Sequence, residues 1–130
     1  MQSLAEAIKA SLVDGQLPCA AAFAIAERLE VTPRSVGQDA DGLGVRLSKC
    51  QLGLFGYGPK AEGKHRRVEP MRDVPAELEK AIRSGLGPDG KLSCANAWKI
   101  ADQLRLSRQA VSNAVEGLGL RIGECQLGAF

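Results

Sequence analysis

Aromatic residues are scarce in this 130-residue chain, 4% of the total, with Trp98 and Tyr57 joined only by Phe23, Phe55 and Phe130. Platforms for stacking single-stranded bases or a flat cofactor are correspondingly few, and aliphatic side chains must fill the core. Histidine occurs once, at His65, and no Cys-x-x-Cys knuckle of the kind common in zinc and iron–sulfur sites is present. A glycine-rich phosphate loop and carboxylate pairs at acid–base spacing are also missing, so the reading is a non-enzyme without a cofactor. Neither charge dominates: 17 Lys and Arg against 15 Asp and Glu give +2, so any attraction for a polyanion has to be local. No apolar run approaches the roughly 20 residues that cross a bilayer. The longest, Leu17 to Ala26, is interrupted by Pro18 and preceded by Glu6 and Asp14, which argues against a secretory signal. The expectation is a cytoplasmic protein with no membrane partner, its four cysteines thiols, metal ligands or redox sensors before structural disulfides.

What is present is an ordinary globular balance, 45% hydrophobic and 25% charged, arranged as a repeat. Asp14 to Phe55 aligns without a gap on Asp89 to Phe130 at an offset of 75, with 19 of 42 positions identical. Cys19 falls on Cys94, Gly42-Leu43-Gly44 on Gly117-Leu118-Gly119, and Cys50-Gln51-Leu52-Gly53 on Cys125-Gln126-Leu127-Gly128. Upstream, Leu4, Ile8 and Leu12 repeat as Leu78, Ile82 and Leu86, with one extra residue before the second Asp-Gly. A repeat this long, occurring twice, suits two copies of one small domain better than a solenoid. The expected organisation is a first unit at 1–55, a basic linker containing Gly and Pro at 56–74, and a second unit at 75–130.

Each unit reads as three helices and a short strand. The first helix ends before an Asp-Gly turn and a brief strand-like contact at Gln16-Leu17 or Lys91-Leu92. The second carries Ala22, Ile25, Ala26 and Leu29, or Ala97, Ile100, Ala101 and Leu104, the i, i+3, i+4, i+7 stripe of a core-facing helix. Thr32 with Pro33, and Ser107 in the other copy, open the third helix as N-caps. That helix turns Val36, Ala40 and Leu43, or Val111, Val115 and Leu118, inward and stops at Gly-Leu-Gly. The alternation after it, Val45 and Leu47 inward with Arg46 and Ser48 outward, predicts a strand. In the second copy Gly123-Glu124 forms a tight turn, making the tail a small hairpin that pairs with the short strand before the second helix, or the strand stands alone.

Ala26 to Gly37, Ala-x-x-Leu-x-Val-Thr-x-x-x-Val-Gly, and Ala101 to Ser112, Ala-x-x-Leu-x-Leu-Ser-x-x-x-Val-Ser, resemble the helix-turn-helix signature, and the strand that follows resembles the wing of the winged-helix variety. Glu30 and Arg105 stand where the motif often has glycine. The resemblance implies a mainly α fold with small β content, made of two tandem winged helix-turn-helix-like units. It also implies double-stranded DNA binding in transcription regulation, the third helix of the second unit in the major groove. Ser107, Arg108, Gln109, Ser112 and Asn113 are the expected reading residues, since arginine pairs with guanine and Gln or Asn with adenine. Arg34 and Gln38 take that role in the first unit, where Asp39 and Asp41 repel phosphate. Lys64, Arg66 and Arg67, beside His65, are expected to add backbone contacts. Winged helices also serve as protein-interaction modules or scaffolds, and the near-neutral charge suits a protein partner or self-association. A third reading is a redox or metal sensor using Cys19, Cys50, Cys94 and Cys125, brought together as pairs 19 with 50 and 94 with 125. Against it stands burial of cysteine as a small core hydrophobe.

Overall fold

The computed structural model describes residues 3–57 and 65–129, so Lys64 and Phe130 lie outside the described residues. Two compact units emerge, neither continuous in sequence: the first gathers 3–51, 55–57, 65–66 and 126–129, the second 52–54 and 67–125. Unit 1 runs α1 (Leu4–Ala10), β1 (Leu17–Pro18), α2 (Cys19–Arg28), α3 (Pro33–Gly42) and β2 (Leu47–Ser48). Unit 2 runs α4 (Ala76–Ser84), β3 (Leu92–Ser93), α5 (Cys94–Leu104), α6 (Arg108–Gly117) and β4 (Ile122–Gly123).

Helix starts follow side-chain chemistry. Ser3, Thr32, Ser93 and Ser107 each accept a backbone N–H three residues on, satisfying a donor that the first turn leaves without a partner. Helix ends follow backbone chemistry. Gly44 and Gly119 take positive φ after α3 and α6, and the next residue donates back into the helix, Val45 to Ala40 O at 2.8 Å and Leu120 to Val115 O at 3.0 Å. α2 and α5 end the same way without glycine: Glu30 and Arg105 sit at φ 55° and 57°, with Val31 and Leu106 bonding to Ala26 O and Ala101 O. A non-glycine residue there is strained by about 1 kcal/mol.

The Asp-Gly turns differ by the extra residue of the second. Val13 and Gln16 exchange both backbone hydrogen bonds across Asp14 and Gly15, both at positive φ, a two-residue type I′ turn. In unit 2 Gly90 donates to Gly87 O and Gly87 to Lys91 O, a longer loop with Gly90 at φ 76°.

The strands pair in parallel, Leu17 on Leu47 and Leu92 on Ile122. No hairpin forms at Gly123-Glu124, because the partner of β4 is the strand before α5, and parallel neighbours need the intervening helices as their connection. The inward–outward expectation also shifts. Ser48 is buried at 3% exposure, and Leu43, expected inward, is 40% exposed because it caps α3 where the chain turns away.

The core of unit 1 is Ile8, Leu17, Ala22, Ile25, Val36 and Ala40, joined by Leu127 from the 126–129 segment. Unit 2 buries Leu78, Ile82, Leu92, Ile100, Val111 and Val115, joined by Leu52. Each fully buried aliphatic of this size contributes about 1.5–3 kcal/mol. Leu127 reaches α3 only because position 37 is glycine, where an added Cβ would fall 1.8 Å from the Leu127 carbonyl oxygen. Gly42, on the same helix, meets nothing within 4 Å among the described residues. Gly37→Ala is therefore expected to destabilise the protein by about 1–3 kcal/mol, the range for overpacking. Gly42→Ala should raise stability by up to about 1 kcal/mol through helix propensity. Thermal unfolding of the two variants gives opposite shifts in Tm.

Candidate functional site

The third helices carry the residues singled out for recognition, and α6 is the more elaborated. Its first turn is held by the Ser107 cap, and the Arg108 guanidinium lies over the Trp98 ring of α5, 3.5 Å from the centroid. A cation stacked on the electron-rich face of an indole is engaged there, within the unit.

Further along α6, the polar face meets the backbone of residues 67–71, which belong to no helix or strand. Gln109 Nε2 donates to Arg67 O at 2.9 Å. Asn113 Oδ1 accepts the Glu69 N–H at 3.0 Å, and the Asn113 carbonyl accepts the Met71 N–H at 2.9 Å. One turn on, a Cβ on Gly117 would fall 2.0 Å from Met71 O, so this backbone lies directly on the helix. Residues 67, 69 and 71 thus answer to helix positions 109, 113 and 117. The match is metrical: two extended residues and four helical residues each advance about 6 Å. The Arg67 end is secured from its other side, its N–H donating to Gly53 O at 2.7 Å. Ser112 is 1% exposed, and its Oγ finds no hydrogen-bond partner among the described residues.

Of the expected reading residues in unit 2, Ser107 is exposed, Arg108 is stacked, Gln109 and Asn113 hold the 67–71 segment, and Ser112 is buried. In unit 1, Arg34 and Gln38 stand exposed one turn apart on α3, with Asp39 and Asp41 exposed beside them. The Arg66 and Arg67 side chains are exposed. Glu69, Met71 and Gly117 were not legible as contact residues. Gly117 reads in the sequence as part of the Gly-Leu-Gly helix stop, but the positive φ that ends α6 falls on Gly119, and Gly117 instead lies against the Met71 backbone.

All four cysteines are thiols and all are buried. Cys19 and Cys94 open α2 and α5, directly after strands whose partners lead to Cys50 and Cys125. Cys94 donates its N–H to Glu124 O at 3.3 Å, so the tail passes the start of α5. Lys49 and Glu124, at positive φ, turn the chain just before each tail cysteine. Among the described residues no group of three or more His, Cys, Asp or Glu could hold a metal ion. Open clefts of about 410 and 380 Å³ lie between the Asp-Gly turn and the tail of each unit, one bounded by Asp14 and Lys49, the other by Asp89, Lys91 and Glu124.

Substitutions on α6 should separate these roles. Asn113→Ala removes an acceptor and is expected to cost about 1 kcal/mol, with faster hydrogen exchange at the Glu69 amide. Ser112→Ala removes a buried hydroxyl and should leave stability equal or higher. With a thiol reagent, the native protein should react slowly at all four cysteines and completely once unfolded in denaturant. No family model matches the chain, and no curated protein or solved structure matches it either.

Proposed function

We propose that this chain is a protein-interaction module of two helix-turn-helix-like units, related by internal duplication, whose third helix holds extended polypeptide in place of a DNA groove. Supporting the duplication, the left-handed residues recur at the sequence offset of 75: Gly15 and Gly90, Glu30 and Arg105, Gly44 and Gly119, Lys49 and Glu124, Gly53 and Gly128. The strand registers and the bonds closing each second and third helix recur with them. On the helix-turn-helix likeness, Glu30 and Arg105 depart from the glycine that motif often has, and they take the left-handed φ, 55° and 57°, that a glycine would take there.

The observation that carries the functional reading is the backbone of residues 67–71 on α6, held by the Gln109 and Asn113 side chains. These are the groups a major-groove reader would extend to base edges, and here they satisfy peptide N–H and C=O instead. Recognition through main-chain groups suits an extended partner. The near-neutral charge of +2 also fits a protein surface better than a polyanion.

A second reading, double-stranded DNA binding in transcription regulation, is favoured by one feature, the exposed Arg34 and Gln38 on α3. A band-shift titration with random duplexes at about 50 and about 200 mM salt separates the two. The expected result is no retardation at either salt. A shifted complex that weakens with salt would overturn the interaction reading in favour of DNA.

A further inference from the structure

We propose that each unit carries an oxidisable dithiol, Cys19 with Cys50 and Cys94 with Cys125, which a hydroperoxide closes to a disulfide and a reducing thiol reopens. The proposal stands apart from the reading of α6 and gives a chemical role to four side chains that reading does not use.

Backbone geometry sets the distance. Cys94 donates its N–H to Glu124 O at 3.3 Å, and that carbonyl belongs to the peptide bond joining Glu124 to Cys125. Standard bond lengths on either side of this hydrogen bond hold the two Cα atoms within about 7 Å. Bridged cysteines usually have Cα atoms about 4.4–6.8 Å apart, so the pair stands at bridging distance. Both side chains are buried, Cys94 at 5% and Cys125 at 8% exposure. Glu124, at φ 47°, bends the chain out of β4 immediately before Cys125.

Unit 1 has the same frame. Pro18 pairs with Ser48 as Ser93 pairs with Gly123, and Lys49 takes φ 48° where Glu124 takes 47°. Cys19 and Cys50 follow that register one and two residues on, as Cys94 and Cys125 do, and are 6% and 5% exposed. Packing as a small hydrophobe asks for no second sulfur across the strand pair; a bridge does. Each pair also lies beside an open cleft. Ser93 and Glu124, the residues before Cys94 and Cys125, line one, and Ser48 and Lys49 line the other. A bulky thiol reagent is hindered by the burial, whereas hydrogen peroxide is small enough to enter from the cleft.

The position gives the bridge an effect. The continuous part of unit 1 ends at Gln51 and that of unit 2 at Cys125, and Leu52 and Leu127, two residues beyond the tail cysteines, fill core positions. A disulfide ties the base of each tail to the first residue of α2 or α5.

The chemistry balances with hydrogen peroxide as oxidant. One thiolate sulfur attacks a peroxide oxygen, the O–O bond breaks, and a sulfenic acid forms while the leaving hydroxide takes up the thiol proton as water. The partner thiol attacks the sulfenic sulfur, the S–S bond forms, the S–O bond breaks, and a second water leaves. The two sulfurs together lose two electrons and the peroxide gains them. Dithiothreitol reverses the change by thiol–disulfide exchange.

The test is peptide mapping by mass spectrometry of the full chain, first reduced, then treated with a few-fold excess of hydrogen peroxide, with remaining thiols alkylated in denaturant. Expected are cross-linked peptides joining Cys19 to Cys50 and Cys94 to Cys125, a loss of two hydrogens per bridge, and full reversal by dithiothreitol. Cys125→Ser should abolish the second bridge and leave the first. The wild-type map carries the decision even where that variant does not fold. Absence of either bridge, oxygen added to single cysteines in place of a bridge, or pairing across units or between chains overturns the proposal. Formation of the two bridges only when peroxide is added in denaturant overturns it as well, since the native fold then does not bring the sulfurs together.

Discussion

Another backbone comes closest to a helix where the helix lacks a Cβ, and the third helix of each unit has one such glycine. Gly37 lets the Leu127 backbone reach α3, and Gly117 lets Met71 reach α6. In each case a segment distant in sequence lies on the helix, and its peptide groups approach closer than any side chain would allow. Leu127 comes to unit 1 from the separate 126–129 segment, whereas Met71 lies within the continuous 67–125 part of unit 2.

On this foundation the polar side chains of α6 acquire their role. Gln109 and Asn113 stand four residues apart, the spacing at which two extended residues cover the same distance as one helical turn. Their carboxamides each offer a donor and an acceptor, so they satisfy peptide groups that would otherwise lose water without compensation. The chemistry that makes Gln and Asn good readers of adenine makes them equally good holders of a backbone. Which of the two a helix performs is decided by what lies within reach, and in unit 2 that is residues 67–71.

The three-helix plan of each unit, the caps at Thr32 and Ser107, the Asp-Gly turns and the core stripe were legible in the residues because each depends on local periodicity or on a side chain bonding within its own turn. Less legible were the strands. Alternation around Val45 to Ser48 signals extended chain but not whether a hairpin follows, while the expected pairing of the tail with the short strand before the second helix forms, in parallel. Ser48 and Leu43 exchanged their expected exposure for the same reason, since burial there depends on the path of the chain after the helix. Glu30 and Arg105 show the converse case, where a local rule favouring glycine is overridden by the need to end one helix and start the next within a few residues.

By itself the sequence determined the number and faces of the helices and their caps, since each is written in residue identity at short range, and it displays the recurrence of residues at an offset of 75. The site belongs to tertiary structure alone. Residues 67–71 carry no period, and nothing in their composition names α6 as their support. Only folding shows that Gln109 and Asn113 are occupied, that Ser112 is buried, and that the matching face of α3 stands open among the described residues. The physical reason is that backbone hydrogen bonds are chemically alike along any chain, so their partners are chosen by which segments packing brings within 3 Å.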